Sequence, residues 1–510
     1  MRRFKNFWLL DGSGSPPRRS ELLIDGDRVA AVEQESAAGA AASRDTFDLG
    51  GLMVAPGFID VHSHSDMSLP AAPAGESKRA QGITCEVVGN CGLSVFPVTG
   101  RNRDHLQELY SVYGVEIAWN DYSGYLAELK RRGAALKVYS LVGHNTLRAA
   151  VAGYQQRVIS DAEMAEMEQR LAGELEAGAP GLSSGLLYVP GRFSPPEELV
   201  KLLRVTAAYD GIYTTHLRSE GTRLLESIDE TFEAAREAGL RRVHISHLKT
   251  AGRDNWDKLD GVFAAVAAAE RDGIRVTFDR YPYTESMTQL SVILPAGWDE
   301  IGDDEITRRL RNSEVRREVA SRLRAERTDE YWNGVRLVSS THPGYRDVVG
   351  KVFAEISADP AGLVVELLAH DSAGTTAAFA GMSRDNLRRI VLDPRTMLGS
   401  DGNALPFGGK FGTPHPRSFG SAPGFLRLLL DNGVEPGEAV RKLTGLPAET
   451  FKLSSGIGGI AAGRAADLVV FDPDEVAGAA DFTAPETPPR GIRMVVLDGR
   501  MFAEGLTELT

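Results

Sequence analysis

GGLMVAPGFIDVHSHSD, residues 50–66, closes an apolar, strand-like run with two histidines one residue apart. Side chains two apart on a strand share a face, so His62 and His64 are placed to converge on one metal ion at the strand's end. Two ordinary polar loop residues would give the same pattern. The rest of the chain has to decide between these readings.

Downstream, seven more strand-like runs follow: ITCEVVGNC (83–91), LKVYSLVGHN (136–145), PGLSSGL (180–186), GIYTTHLR (211–218), RRVHISHLK (241–249), IRVTFDRYPY (274–283) and TMLGSDG (396–402). Amphipathic helical stretches lie between several of them, such as 161–178, 222–239 and 256–273. Eight strands with helical connections predict an α/β fold, a (β/α)8 TIM-like barrel over residues 56–454, with a doubly wound sheet as the alternative. One connection is too long for a single crossover helix. It predicts an insertion after strand 7, at about 285–350 near the barrel mouth, containing the charged helical segment 303–330. Both ends of the chain read as short β segments, so residues 1–55 and 455–510 are expected to pair into one small β-sandwich domain, with AAGAAAS (37–43) as a surface loop.

Bulk composition sets the class. The 510 residues are 42% hydrophobic and 25% charged, ordinary for a globular protein with a sizeable core. A net charge of -13 argues against a nucleic-acid partner, since phosphate binding needs clustered Lys and Arg. The apolar patch in MRRFKNFWLLDGSG is interrupted at Asp11, too early for a signal-peptide core, and no run reaches membrane-span length. Cys85 and Cys91 are the only cysteines; they make no disulfide framework and fit a reducing cytoplasm. Oligomeric state is not legible.

Chemistry-bearing residues fall at the C-terminal ends of separate predicted strands. These are His62 and His64 on the first, Cys91 on the second, His216 on the fifth, His247 on the sixth and Asp401 on the eighth. In a parallel barrel those ends share one mouth. Each has a bland alternative: a hydrogen-bonded histidine, a small core cysteine, an aspartate serving a turn. His244 competes with His247, and the strand-end position favours His247. Taken together the six make a metal site, and thiolate with imidazole favours Zn2+ over magnesium or calcium. An aspartate beside such an ion completes a hydrolytic centre.

HSH after PGFID, the GNCG turn, THLR, SHLK and GSDG resemble the amidohydrolase superfamily, and within it the D-aminoacylase (N-acyl-D-amino-acid deacylase) branch. GLSSGLLYVPG, DRYPY, HPRSFG and GIGGIAAGRAADLVVFD extend the resemblance over nearly the whole chain. Hydantoinases and dihydroorotases bridge two metals with a carbamylated lysine on strand 4, where GLSSGL has none; the deacylase branch uses the GNCG cysteine. The resemblance implies zinc-dependent hydrolysis of N-acyl-D-amino acids to a carboxylate and a free D-amino acid. It implies a tight zinc on Cys91, His216 and His247, a second, weaker position at His62 and His64, and Asp401 as the proton carrier. It further implies that Lys249, Tyr281, Ser286 and Arg417 hold the substrate's α-carboxylate. Because 281–307 contains no Lys or Arg and TQLSVILPAGW is apolar, neutral or hydrophobic side chains are expected. The alternatives are hydrolysis of D-containing dipeptides or cyclic amides at the same site, or a non-catalytic scaffold of this fold.

Overall fold

The computed structural model describes residues 1–34, 45–295, 297–298, 301–454 and 456–509; the predicted loop at 37–43 lies outside them. Strands Phe58–Asp60, Ile83–Val88 and Lys137–Ser140 pair in that order. A second set runs Val142–Gly143, Gly181–Gly185, Ile212–His216, Arg242–Ile245, Arg275–Arg280 and Thr396–Leu398. Lys137–Ser140 and Val142–Gly143 are two halves of one bent strand. The ring closes where Val61 N donates to Leu398 O (3.1 Å) and Ser63 bridges Gly402 in parallel. The result is the eight-stranded parallel barrel of the TIM type, not an open doubly wound sheet.

Strands from both chain ends form one continuous sheet. Met53–Pro56 pairs antiparallel with Leu468–Phe471, joining Arg2–Leu9, Arg18–Asp25 and Arg28–Gln34 to Ile492–Leu497 and Arg500–Ala503. Phe4, Leu22 and Val54 share a core with Leu468, Val496 and Met501. Among the described residues, no helix is long and apolar enough to cross a membrane.

Between barrel strands 7 and 8 lies a unit with its own core. Its sheet orders Glu285–Gln289, Thr376–Ala380 and Val335–Ser339 antiparallel, and helices Asp303–Leu310 and Ser313–Glu326 pack beside Pro360–Asp371. The returning strand carries this unit beyond residue 350. Leu290, Ile293 and Leu294 of the apolar TQLSVILPAGW run are buried with Leu323 and Leu367. These three side chains of the run fill the insertion's core, while Val292 is exposed.

A buried ionic knot fixes the first and eighth strand ends together. Lys78, on helix Glu76–Ala80, places Nζ 2.6 Å from Asp60, 2.8 Å from Glu86 and 2.9 Å from Ser400 Oγ, with all three charged side chains fully buried. Asp60 also accepts from Ser400 N (2.8 Å), and Glu86 from Ser63 Oγ (2.7 Å), so the knot grips the HSH and GSDG turns at once. Removing one member of a buried charge set leaves the others uncompensated, at roughly 3–5 kcal/mol. Lys78→Met should therefore lower the calorimetric melting temperature by several degrees; an unchanged melt would show that the knot does not hold these turns.

Candidate active site

Three residues of the site carry backbone strain. Cys91 (φ 54°), His247 (φ 35°) and Asp401 (φ 53°) are among the eight non-glycine residues with left-handed φ in the described chain, the others, such as Asn6 and Asp498, lying away from the cluster. Such positions cost on the order of 1–3 kcal/mol each and persist only where surroundings enforce them. All three follow the last residues of barrel strands, and each aims its side chain at the mouth. The GNCG turn is held by Gly92 N donating to Ser183 Oγ (3.1 Å). A Cβ on Gly185 would sit 2.1 Å from the Cys91 carbonyl oxygen, so GLSSGL needs its second glycine to let this turn approach.

The predicted residues converge. Cys91 Sγ lies 3.3 Å from His62 Nε2 and 3.6 Å from His247 Nε2. Asp401 Oδ1 lies 3.1 Å from His64 Nε2 and 3.6 Å from His62 Nε2. The His216 ring packs edge-on against His247 with centroids 4.5 Å apart. Three overlapping groups bring donor atoms within 4.8 Å of one another: His62, Cys91 and His247; His62, His64 and Asp401; His216, Glu220 and His247. His62 is thus as close to the thiol as His247 is, and His247 links the first and third groups.

Electrostatics suit a cation. Burial would raise the Cys91 thiol, but the facing His62 and His247 outweigh it and hold its pKa well below the ordinary value. Burial and neighbouring anions push the Cys85 thiol up instead. Burial likewise opposes ionisation of Asp401, yet Arg417 and His64 keep it a carboxylate. Both ring nitrogens of His216 are buried without a hydrogen-bond partner, which is costly for an imidazole unless another electrophile takes a lone pair. A thiolate, unsatisfied imidazole nitrogens and a carboxylate fit zinc.

Two acids escaped the sequence reading. Asp279, fully buried on strand Arg275–Arg280, meets His62 Nδ1 at 3.0 Å and His244 Nε2 at 2.8 Å and accepts from His247 N at 2.9 Å. Its signal was a lone acid inside the apolar run VTFD. Glu220 binds His247 Nδ1 (2.9 Å) and Lys249 Nζ (2.8 Å) from the loop after strand 5, where no periodicity picks it out. His244 is anchored under the mouth by Thr277 and Asp279, leaving His247 to face Cys91.

The proposed carboxylate partners are placed unevenly. Arg417 is not a solvated surface residue: Nη1 donates to Asp401 Oδ2 at 2.7 Å, and its guanidinium lies 5.2 Å from the Tyr281 ring centroid. Arg417 follows Asp401 by sixteen residues, and loop 403–416 folds back to bring them into contact. Lys249 contacts His247 Nδ1 at 3.2 Å, and the Tyr281 hydroxyl is buried without a partner. Ser286 sits on the insertion strand Glu285–Gln289, tied to this corner through Glu285, whose carbonyl meets His415 Nε2 at 3.1 Å. Asn145 Nδ2 holds the carbonyls of Gly185 and Tyr188, while His144 joins Glu198 in a buried pair away from the cluster. The Tyr188 ring packs on His216 at 4.9 Å.

Comparison with known proteins identifies the family. Residues 45–319 and 353–503 match the amidohydrolase family. An N-acyl-D-glutamate deacylase of Alcaligenes xylosoxydans xylosoxydans is 35% identical over 96% of this chain and 91% of its own length. A D-aminoacylase of the same organism is 34% identical over 96% and 92%. The crystal structure of N-acyl-D-glutamate deacylase from Bordetella bronchiseptica, complexed with zinc and a phosphonate inhibitor, superposes with a TM-score of 0.79 at 31% identity, covering 98% of this chain and 95% of that one. Family match and full-length similarity together place the chain in the amidohydrolase family, in its D-aminoacylase branch.

Proposed function

We propose that the protein is a zinc-dependent N-acyl-D-amino-acid deacylase that prefers neutral or hydrophobic side chains. The observation that carries this reading is the cluster in which Cys91 Sγ faces His62 and His247, His216 packs on His247, and the Asp401 carboxylate lies beside His62 and His64. Cys91, His216 and His247 are the residues to hold the tight zinc, and His62 and His64 a second, weaker position. Zinc bound there supplies Lewis acidity, which polarises an amide carbonyl and brings the pKa of water toward about 7. Asp401 takes a proton from the attacking water and returns it to the amine nitrogen as the carbon–nitrogen bond breaks. Asp279 and Glu220 orient His62 and His247 through their far ring nitrogens.

Lys249, Tyr281, Ser286 and Arg417 are the groups to receive the α-carboxylate. The neutral-side-chain preference is supported by residues 281–307, which contain no Lys or Arg to pair with a second substrate carboxylate. The apolar run 288–298 does not itself support this preference, because its leucines and isoleucine serve the insertion's core. The terminal strands read as a β-sandwich-like unit beside the barrel, supported by the core they share. Two unpaired, buried cysteines favour the reducing cytoplasm.

Asp401→Asn should lower turnover of N-acetyl-D-leucine by about 10²–10⁴-fold while bound zinc, measured by atomic emission, stays near the wild-type content. Near-wild-type activity would remove Asp401 from proton transfer. N-acetyl-L-leucine and N-acetyl-D-glutamate should both be poorer substrates than N-acetyl-D-leucine; equal rates with the glutamate derivative would refute the side-chain preference. In chelator-treated protein, ultraviolet thiolate absorbance should persist at about pH 7, below the ordinary thiol pKa of about 8.5. Replacing Cys91 with Ser, but not Cys85 with Ser, should abolish it.

A further inference from the structure

Among the described residues, Arg280 is the strongly buried cation at the carboxylate corner that lacks an acid. It is 1% exposed, Nη1 has no hydrogen-bond partner, and Nη2 is spent on the Tyr283 carbonyl (2.9 Å) and the Met382 sulfur. No ion pair forms at Arg280 among the described residues, whereas Lys249 and Arg417 each have one. Burying an unpaired guanidinium is unfavourable by several kcal/mol, so its retention calls for an anion in the working state.

Strand geometry shows where it points. Asp279 points into the barrel at His62, so its neighbour Arg280 leaves on the outer face, beside Met382 and Asn386, and does not enter the mouth. Its guanidinium lies 4.0 Å from the centroid of the Tyr281 ring, whose other near cation is Arg417 at 5.2 Å. Tyr281 is thus held by two cations, with its hydroxyl buried and unsatisfied. The charged and titratable groups near that phenol are Arg280, Lys249, Arg417 and Asp401, with His415 packed edge-on at 6.2 Å. Burial alone would raise the phenol; the three cations outweigh it and make it a stronger donor.

We propose that Arg280 is a positioning residue for substrate recognition: through Tyr281 it orients the hydroxyl toward the substrate's α-carboxylate and supplies the positive charge that this carboxylate balances. The inference rests on the proposed deacylase activity. It adds a specificity determinant that never touches the substrate, and it explains why a buried arginine stands without an acid.

The test compares N-acetyl-D-leucine with N-acetyl-D-leucinamide, identical except for the anionic carboxylate, in wild type, Arg280→Lys and Arg280→Met. Wild type should favour the acid. Arg280→Met should raise KM for the acid with kcat less affected, cutting the acid-to-amide ratio of kcat/KM by roughly tenfold or more, while Arg280→Lys keeps most of it. Because a buried unpaired charge is replaced by an apolar chain, Arg280→Met should melt no lower than wild type without substrate. Equal loss on both substrates together with a lowered melt would make the role structural and overturn the inference. An unchanged ratio in Arg280→Met would overturn it while leaving the deacylase reading intact. A wild type that does not favour the acid would overturn the deacylase reading and the inference with it.

Discussion

The Asp279 carboxylate is the hinge of the site. From one fully buried position it binds His62, His244 and the backbone of His247, joining barrel strands 1, 6 and 7 at the mouth. Burial would favour its neutral form, but the His62 and His244 contacts hold its pKa far below the usual carboxylate range. A charged acceptor with three donors is worth more than neutral hydrogen bonds, on the order of 1.5–3 kcal/mol for each. The left-handed backbone at His247 is tolerated because its N–H is taken up there. Gly399 completes the arrangement: a Cβ at that position would lie 2.2 Å from Asp279 Oδ1.

Around this hinge the barrel separates two tasks. The metal-fitting residues stand on strand ends, where the strained turns at Cys91, His247 and Asp401 fix their directions. Lys249 and Arg417 stand after strands 6 and 8, while Arg280 ends strand 7 and points to the outer face. In the proposed function an extended N-acyl amino acid with its amide at the Cys91–His247 centre turns its carboxylate toward Lys249 and Arg417. Beneath both lies the Lys78 knot, which keeps the HSH and GSDG turns in register without reaching the mouth.

What the sequence made legible follows from how local each signal is. Eight strand ends were visible because buried parallel strands read as short apolar runs, and His62 with His64, Cys91, His216, His247 and Asp401 mark five of them. Asp279 and Glu220 were not visible, since their importance comes from the side chains they meet across the barrel. The insertion's charged helical segment 303–330 was legible, but its three strands, Glu285–Gln289, Val335–Ser339 and Thr376–Ala380, were not, because five-residue runs such as TAAFA lack any alternation that sets them apart. TQLSVILPAGW misled for a related reason: an apolar stretch tells that something is buried, not against what. Arg417 shows the converse, a site residue whose sixteen-residue separation from Asp401 concealed a direct contact.

The central claim is that Cys91 takes part in holding the metal with imidazole nitrogens. X-ray absorption at the zinc edge of protein loaded with one equivalent of zinc tests it most directly. One sulfur per zinc at about 2.3 Å, with nitrogen and oxygen donors at about 2.0–2.1 Å, is the predicted shell, and the sulfur should vanish in Cys91→Ser. A shell of nitrogen and oxygen alone in the wild-type protein would contradict the account.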